Sequence, residues 1–147
     1  MMENEKKVKI LQAMYTGVLA DSVLRMGKEG ILKKVTEEKM VEQLMSGKAR
    51  AAQMGISKPE DVFLTLSEIF GCANWKILEK EGGFGAEATI CMLCGFAKRM
   101  GTQSPCKIYC LDPMEGMIKG INPNAVYTVN GTLFEGQKCS VDVISAR

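Results

Sequence analysis

The chemistry open to this chain rests on its cysteines. There are six in 147 residues, and no histidine. Five crowd the last two fifths as Cys91, Cys94, Cys106, Cys110 and Cys139, in the order C-x2-C, eleven residues, C-x3-C and a later single cysteine. Thiols in two close pairs suit a metal site, a redox couple or a thiolate reagent. The missing histidine excludes Ser-His-Asp triads, Cys-His dyads and His-containing zinc sites. Any general base must then be Asp, Glu, Lys, Tyr or a second thiolate. Cys110 with Asp112 or Glu115, two turns of chain at most beyond it, is the best nucleophile–base arrangement, and Cys106 is the alternative nucleophile. The competing reading caps a segment with Asp112 and leaves Glu115 in solvent.

The elements that carry these residues follow from periodicity. Residues 6–28 repeat apolar side chains at helical spacing (Val8, Leu11, Met14, Tyr15, Val18, Leu19, Val23, Met26), ending at Gly27 and Gly30. Thr36 opens a second helix whose stripe is Met40, Val41, Leu44, Met45 and Ala52. Ser57-Lys58-Pro59-Glu60 reads as a capping box before a third helix reaching Phe70. Residues 73–80 alternate as a strand, and Gly82-Gly83-Phe84-Gly85 reads as a loop. Residues 86–100 have helical composition, and a further helix starts at Ser104-Pro105 and runs to Lys119, interrupted near Asp112-Pro113. The segment 125–145 is a β-hairpin, turning at Glu135-Gly136-Gln137 with Gly131 as a bulge.

These elements predict an α+β class. N-terminal helices pack with a twisted antiparallel sheet, two cysteine-bearing helices and a C-terminal hairpin. A single domain spans 1–147, with a helical layer over 1–58 and a cysteine-rich ligand- or metal-binding part over 59–147. At this length the chain buries enough surface for a core without staples.

On such helices Cys91 and Cys94 share one face, as do Cys106 and Cys110, so two adjacent helices can aim four sulfurs at one point. A tetrahedral zinc takes four thiolates at about 2.3 Å. Free cysteine is also a good small hydrophobe, and Cys72, after Phe70-Gly71, reads as core packing. A redox role for Cys91 and Cys94 is the weaker option, because Ala86 to Ile90 look helical rather than strand-like before the pair. Met92, Met100, Met114 and Met117 lie close to the cysteines in sequence and suit either core or a plastic apolar pocket.

Charge and composition narrow the partners. Nineteen Lys and Arg against 17 Asp and Glu give a net +2. With few aromatics, this offers nothing to nucleic acid or an anionic membrane. The polar N-terminus has no apolar core of a signal peptide, which reads as a cytoplasmic protein with reduced thiols. The long N-terminal stripe can serve a homodimer as well as the core.

The run Ser104-Pro105-Cys106-Lys107-Ile108-Tyr109-Cys110-Leu111-Asp112-Pro113-Met114-Glu115-Gly116, then Gly120, Thr132-Leu133-Phe134 and Gly136 to Cys139, resembles two related patterns. One is the 4-vinyl reductase-type small-molecule-binding domain. The other, the closer, is the L-2-amino-thiazoline-4-carboxylic acid hydrolase-like family. The resemblance covers about residues 60–145 and is specific over 91–139. It implies helices packed on a twisted antiparallel sheet, as in the vesicle-tethering (TRAPP) and haem nitric-oxide-binding domains. The first pattern implies zinc beside a pocket for a small organic ligand. Carried over by position, its ligands are Cys106, Cys110 and Cys139, with Cys94 completing the set and Cys91 as alternate. The second implies C–N hydrolysis of a small cyclic amidine or thiazoline by a Cys thiolate or a metal-bound water.

Overall fold

The computed structural model describes residues 1–145. Five α-helices and four strands follow in the order α1 (Asn4–Lys28), α2 (Leu32–Gln53), α3 (Pro59–Phe70), β1 (Lys76–Lys80), β2 (Gly83–Ala88), α4 (Met92–Met100), α5 (Asp112–Ile121), β3 (Ala125–Gly131) and β4 (Cys139–Ser145). A π-helical turn, Lys107–Leu111, leads directly into α5. The sheet is antiparallel throughout, ordered β1-β2-β4-β3. One face is covered: Cys139, Val141 and Val143 of β4 alternate inward with Phe84, Ala86 and Ala88 of β2. Helices α3 and α5 pack on the sheet, α2 runs along α5, and α1 lies on α4. The aromatic centre is Phe63, edge-on to both Trp75 and Phe84 at ring separations of 5.0 and 5.9 Å. No helix among the described residues is long and apolar enough to cross a membrane.

The α+β architecture matches the sequence expectation, and so does the hairpin. Its strands end at a register shift between Val129 and Gly131, and Glu135-Gly136 lies in the connection. Four local expectations are corrected. Gly83-Phe84-Gly85 is strand, not loop, so β2 replaces the first turns of the helix expected over 86–100. Its glycines suit a strand pressed against a neighbour: a methyl on Gly83 would overlap the Val143 carbonyl. Thr36 does not open α2. It lies inside the helix, its hydroxyl bonded back to the Leu32 carbonyl at 2.7 Å. The expected capping box does not form; Lys58 is the cap residue and no side chain caps α3. The helix expected from Ser104 is a π turn before Pro113, which has no N–H to give an α-helical bond. Asp112 N–H instead reaches the Lys107 carbonyl, five residues back.

The inward faces of the long helices are also not the large apolar ones. α1 buries Thr16, Ala20 and Val23, while Leu11 and Val18 each stay 65% exposed. α2 buries Thr36, Gln43, Gly47 and Ala51, while Val41 and Met45 face out. For α2 the reason is backbone proximity. A methyl on Gly47 would overlap the carbonyl of Gly116, one on Gly116 the carbonyl of Gln43, and one on Gly120 the amide of Lys48. Small residues let α2 and α5 touch main chain to main chain.

Gly116→Ala is therefore expected to cost about 2–3 kcal/mol, by forcing two backbones apart. Gly95→Ala, in α4 where a methyl meets open space, is expected to stabilise by about 0.5–1 kcal/mol through helix propensity. Urea unfolding of both variants reads the difference. Equal effects at the two positions would show that the α2–α5 crossing is not tight.

Candidate active site

Residues 72–74 and 89–94 are stitched side by side, and this junction sets two cysteines together. Ala73 bridges Cys91, and the Cys72 carbonyl accepts from Met92 N–H at 2.8 Å. The Asn74 side-chain oxygen accepts from Thr89 and Ile90 N–H, both at 2.9 Å, and its amide donates to the Thr89 hydroxyl at 3.0 Å. The Cys72 and Cys91 sulfurs end 3.6 Å apart. Both sit on the N-terminal turn of α4. Leu93 N–H donates to Cys72 Sγ at 3.3 Å and Cys94 N–H to Cys91 Sγ at 3.4 Å. Cys91 is thus the N-cap of α4 rather than a residue within a helix. Unpaired amides and the helix dipole favour negative charge there.

A second sulfur pair adjoins the first. Cys94 Sγ and Cys106 Sγ lie 3.5 Å apart in the core. Cys106 caps the π turn, and Ser104 Oγ accepts its N–H at 3.2 Å. The electrostatics alternate along the row. The Cys72 S–H, then the Cys94 S–H, pull Cys91 well below the ordinary thiol range. Cys72 is raised, first by that same bond to Cys91 and then by burial. Cys94 is raised by donating to Cys106 and Cys91. Cys106 is lowered to about 7, chiefly by the Cys94 S–H and against its own burial. Raised and lowered thiols therefore alternate as Cys72, Cys91, Cys94, Cys106.

The other sequence candidates make no hydrogen bond to this row among the described residues. Cys110 lies in the π turn, and burial pushes its thiol well above the usual range. Cys139 begins β4, accepts Leu133 N–H at 3.2 Å and is raised to about 11 by burial. Asp112 is 4% exposed; one oxygen pairs with Lys107 at 2.8 Å, the other has no partner, and burial raises its carboxyl above the normal value. Glu115 pairs with Lys119 at 2.9 Å. Neither carboxylate bonds a thiol.

A cavity of about 400 Å³ opens between α1, α2, α3 and the π turn. Cys72 and Cys110 both line it, as do Lys39, Gln43 and Arg50 of α2. Trp75, Met114 and Met117 supply apolar wall. Arg50 donates to the Gln43 side-chain oxygen, which fixes one edge of the guanidinium. Asp112 and Glu115 are not among the lining residues. Cys72, assigned to the core by its neighbours in sequence, is thus the cysteine that joins the charged row to the cavity. The signal for it was a second cysteine on an adjacent segment, invisible until Ala73 pairs with Cys91.

No zinc site is seen in the donor set as folded. Among the described residues no three His, Cys, Asp or Glu side chains converge to hold a metal ion. The expected ligands Cys94, Cys106, Cys110 and Cys139, with Cys91 as alternate, form no metal-binding group among the described residues, and Cys91 caps α4 instead of sharing a helix face with Cys94. Elemental analysis with thiol titration is expected to give no stoichiometric zinc, and thiol reactivity that a chelator does not change. One zinc per chain with chelator-released thiols would restore the four-thiolate site.

Compared with known proteins, residues 4–141 match the family described as L-2-amino-thiazoline-4-carboxylic acid hydrolase. No curated protein and no solved structure matches the chain. The likeness to the 4-vinyl reductase-type domain has no counterpart in these findings. A match over nearly the whole chain, from α1 into β4, places this protein in the L-2-amino-thiazoline-4-carboxylic acid hydrolase family.

Proposed function

We propose that this chain is a thiol hydrolase that opens a small cyclic amidine bearing a carboxylate, of the 2-amino-thiazoline-4-carboxylate type. One observation carries the reading. The wall of a ligand-sized cavity holds Cys72, whose sulfur shares a proton with Cys91 on a helix N-terminus, together with the cations Arg50 and Lys39. Family membership supports the substrate class. A fold alone does not assign a reaction, so the roles rest on the site.

The proposed roles follow from chemistry. Arg50, steadied by Gln43, presents its remaining N–H groups to the substrate carboxylate, and Lys39 adds charge. The sulfur pair holds one proton between two atoms. Cys72, which faces the cavity, becomes the attacking thiolate as its proton passes to the Cys91 thiolate. It adds to the amidine carbon while Cys91 S–H protonates the ring nitrogen. The ring C–S bond then breaks, and the departing sulfur takes a proton from solvent. Water adds to the resulting isothiourea and expels Cys72 as thiolate, leaving a ring-opened urea. Cys91 replaces the absent histidine as proton carrier. Cys110, the nucleophile preferred from sequence, lies in the same wall, but burial raises its thiol and no sulfur hydrogen-bonds to it among the described residues to take its proton.

With 2-amino-thiazoline-4-carboxylate as substrate, mass spectrometry follows a product heavier by one water. Cys72→Ser is expected to lower kcat by about a thousandfold with the fold retained by circular dichroism. Arg50→Met is expected to raise KM by about tenfold with a smaller change in kcat. If Cys110→Ser abolishes turnover and Cys72→Ser does not, the nucleophile is Cys110. Binding without turnover in the wild type would make the chain a binding module.

A further inference from the structure

The Cys72–Cys91 and Cys94–Cys106 pairs do not need a substrate to have a use. We infer that the four sulfurs form a disulfide relay, in which peroxide first oxidises the outer pair, Cys72 and Cys91, and the disulfide then passes inward to Cys94 and Cys106. The inference stands whether or not the cavity hydrolyses a thiazoline.

Three observations carry it. The sulfurs lie in series: Cys72 to Cys91 at 3.6 Å and Cys94 to Cys106 at 3.5 Å, with the Cys91 sulfur bonded from the amide of Cys94 at 3.4 Å. Cys91 and Cys94 form the C-x2-C step between the pairs, its first cysteine at the N-cap of α4 and following strand β2. That is the placement that makes a cysteine thiolate reactive. The outer end touches a cavity, through Cys72, while Cys94 and Cys106 are 4% and 6% exposed. A peroxide reaches the outer pair by a path that the inner pair lacks.

The chemistry balances step by step. The Cys91 thiolate attacks hydrogen peroxide, giving a sulfenic acid and hydroxide. Cys72 attacks that sulfur, its proton leaves with the hydroxyl as water, and the Cys72–Cys91 disulfide forms. Cys106 thiolate takes the proton of Cys94, across their hydrogen bond. Cys94 attacks Cys91 and expels Cys72 as thiolate. The proton on Cys106 passes to Cys72, and Cys106 attacks Cys94, expelling Cys91 as thiolate. Hydrogen peroxide is reduced to hydroxide and water, and two thiols are oxidised to one inner disulfide. Cys72 and Cys91 return to their starting protonation, ready at the cavity.

The raised acidity of Cys91 and Cys106 agrees with this order, since Cys91 attacks the peroxide and leaves last, and Cys106 takes the proton of Cys94 and makes the last attack. The inner disulfide also ties α4 to the residue that starts the π turn, so it leaves a mark on a different pair of elements from the outer one.

The test uses the full chain, reduced, then mixed with equimolar hydrogen peroxide, quenched over time with a maleimide and mapped by mass spectrometry. The wild type is expected to show Cys72–Cys91 first, replaced by Cys94–Cys106. Cys94→Ala is expected to stop at Cys72–Cys91. Cys91→Ala is expected to form Cys94–Cys106 about tenfold more slowly or not at all. The relay is overturned if Cys94–Cys106 forms at the wild-type rate in Cys91→Ala, or if Cys72–Cys91 persists unchanged in the wild type. It is overturned equally if Cys91 goes to sulfinic acid without a disulfide. Circular dichroism of each variant confirms the fold. Should Cys91→Ala fail that check, the wild-type time course and Cys94→Ala decide alone.

Discussion

The contact of α2 with α5 is the constraint on which the rest depends. Gly47, Gly116 and Gly120 bring two backbones into touch, closer than any side chain allows. Such an approach trades side-chain burial for dispersion and Cα–H···O contact between main chains. It also fixes rotation about both helices. With Gly47 against Gly116, α2 turns Gln43 and Arg50 towards the cavity and leaves Val41 and Met45 outside. On the other side, α5 turns Met114 and Met117 inward and sets the π turn, with Cys110, over the cavity wall. The cationic corner and the thiol-bearing wall therefore share one origin.

The second constraint is the junction of residues 72–74 with 89–94. A loop leaving α3 carries backbone groups that pair with the segment before α4. The Cys72 carbonyl takes Met92 N–H, and the Asn74 side chain takes two more amides. The geometry that satisfies these groups also delivers Cys72 to the first turn of α4. A chain without histidine still needs a group that gives and takes a proton near neutrality. Two thiols on one helix N-terminus meet that need, because one ionises at the expense of the other.

Much of this was readable from the residues alone. The α+β class followed from helical spacing in the first half and β-branched alternation in the last. The hairpin, with Gly131 at its irregularity, followed from the better match of its longer strands. What hid was whatever depends on contact between distant segments. β2 was masked because Gly83 and Gly85, which suit a strand crowded by its neighbours, read locally as a loop. That one error put Cys91 inside a helix instead of at its cap. The same error weakened the redox reading of Cys91 and Cys94. The buried face of α2 was misphased because small residues, not large ones, make its tight crossing with α5. Cys72 read as core because its partner lies 19 residues away.

The central claim is that Cys72 and Cys91 share one proton and hold a thiolate on the α4 N-terminus. The ultraviolet absorbance of thiolate, followed against pH in the reduced protein, measures it directly. The account predicts a thiolate still present near pH 5, about three units below the usual onset, and its loss at that pH in Cys91→Ala but not in Cys110→Ala. A titration in which all thiolate absorbance appears only in the ordinary thiol range, with Cys91→Ala indistinguishable from wild type, would contradict it.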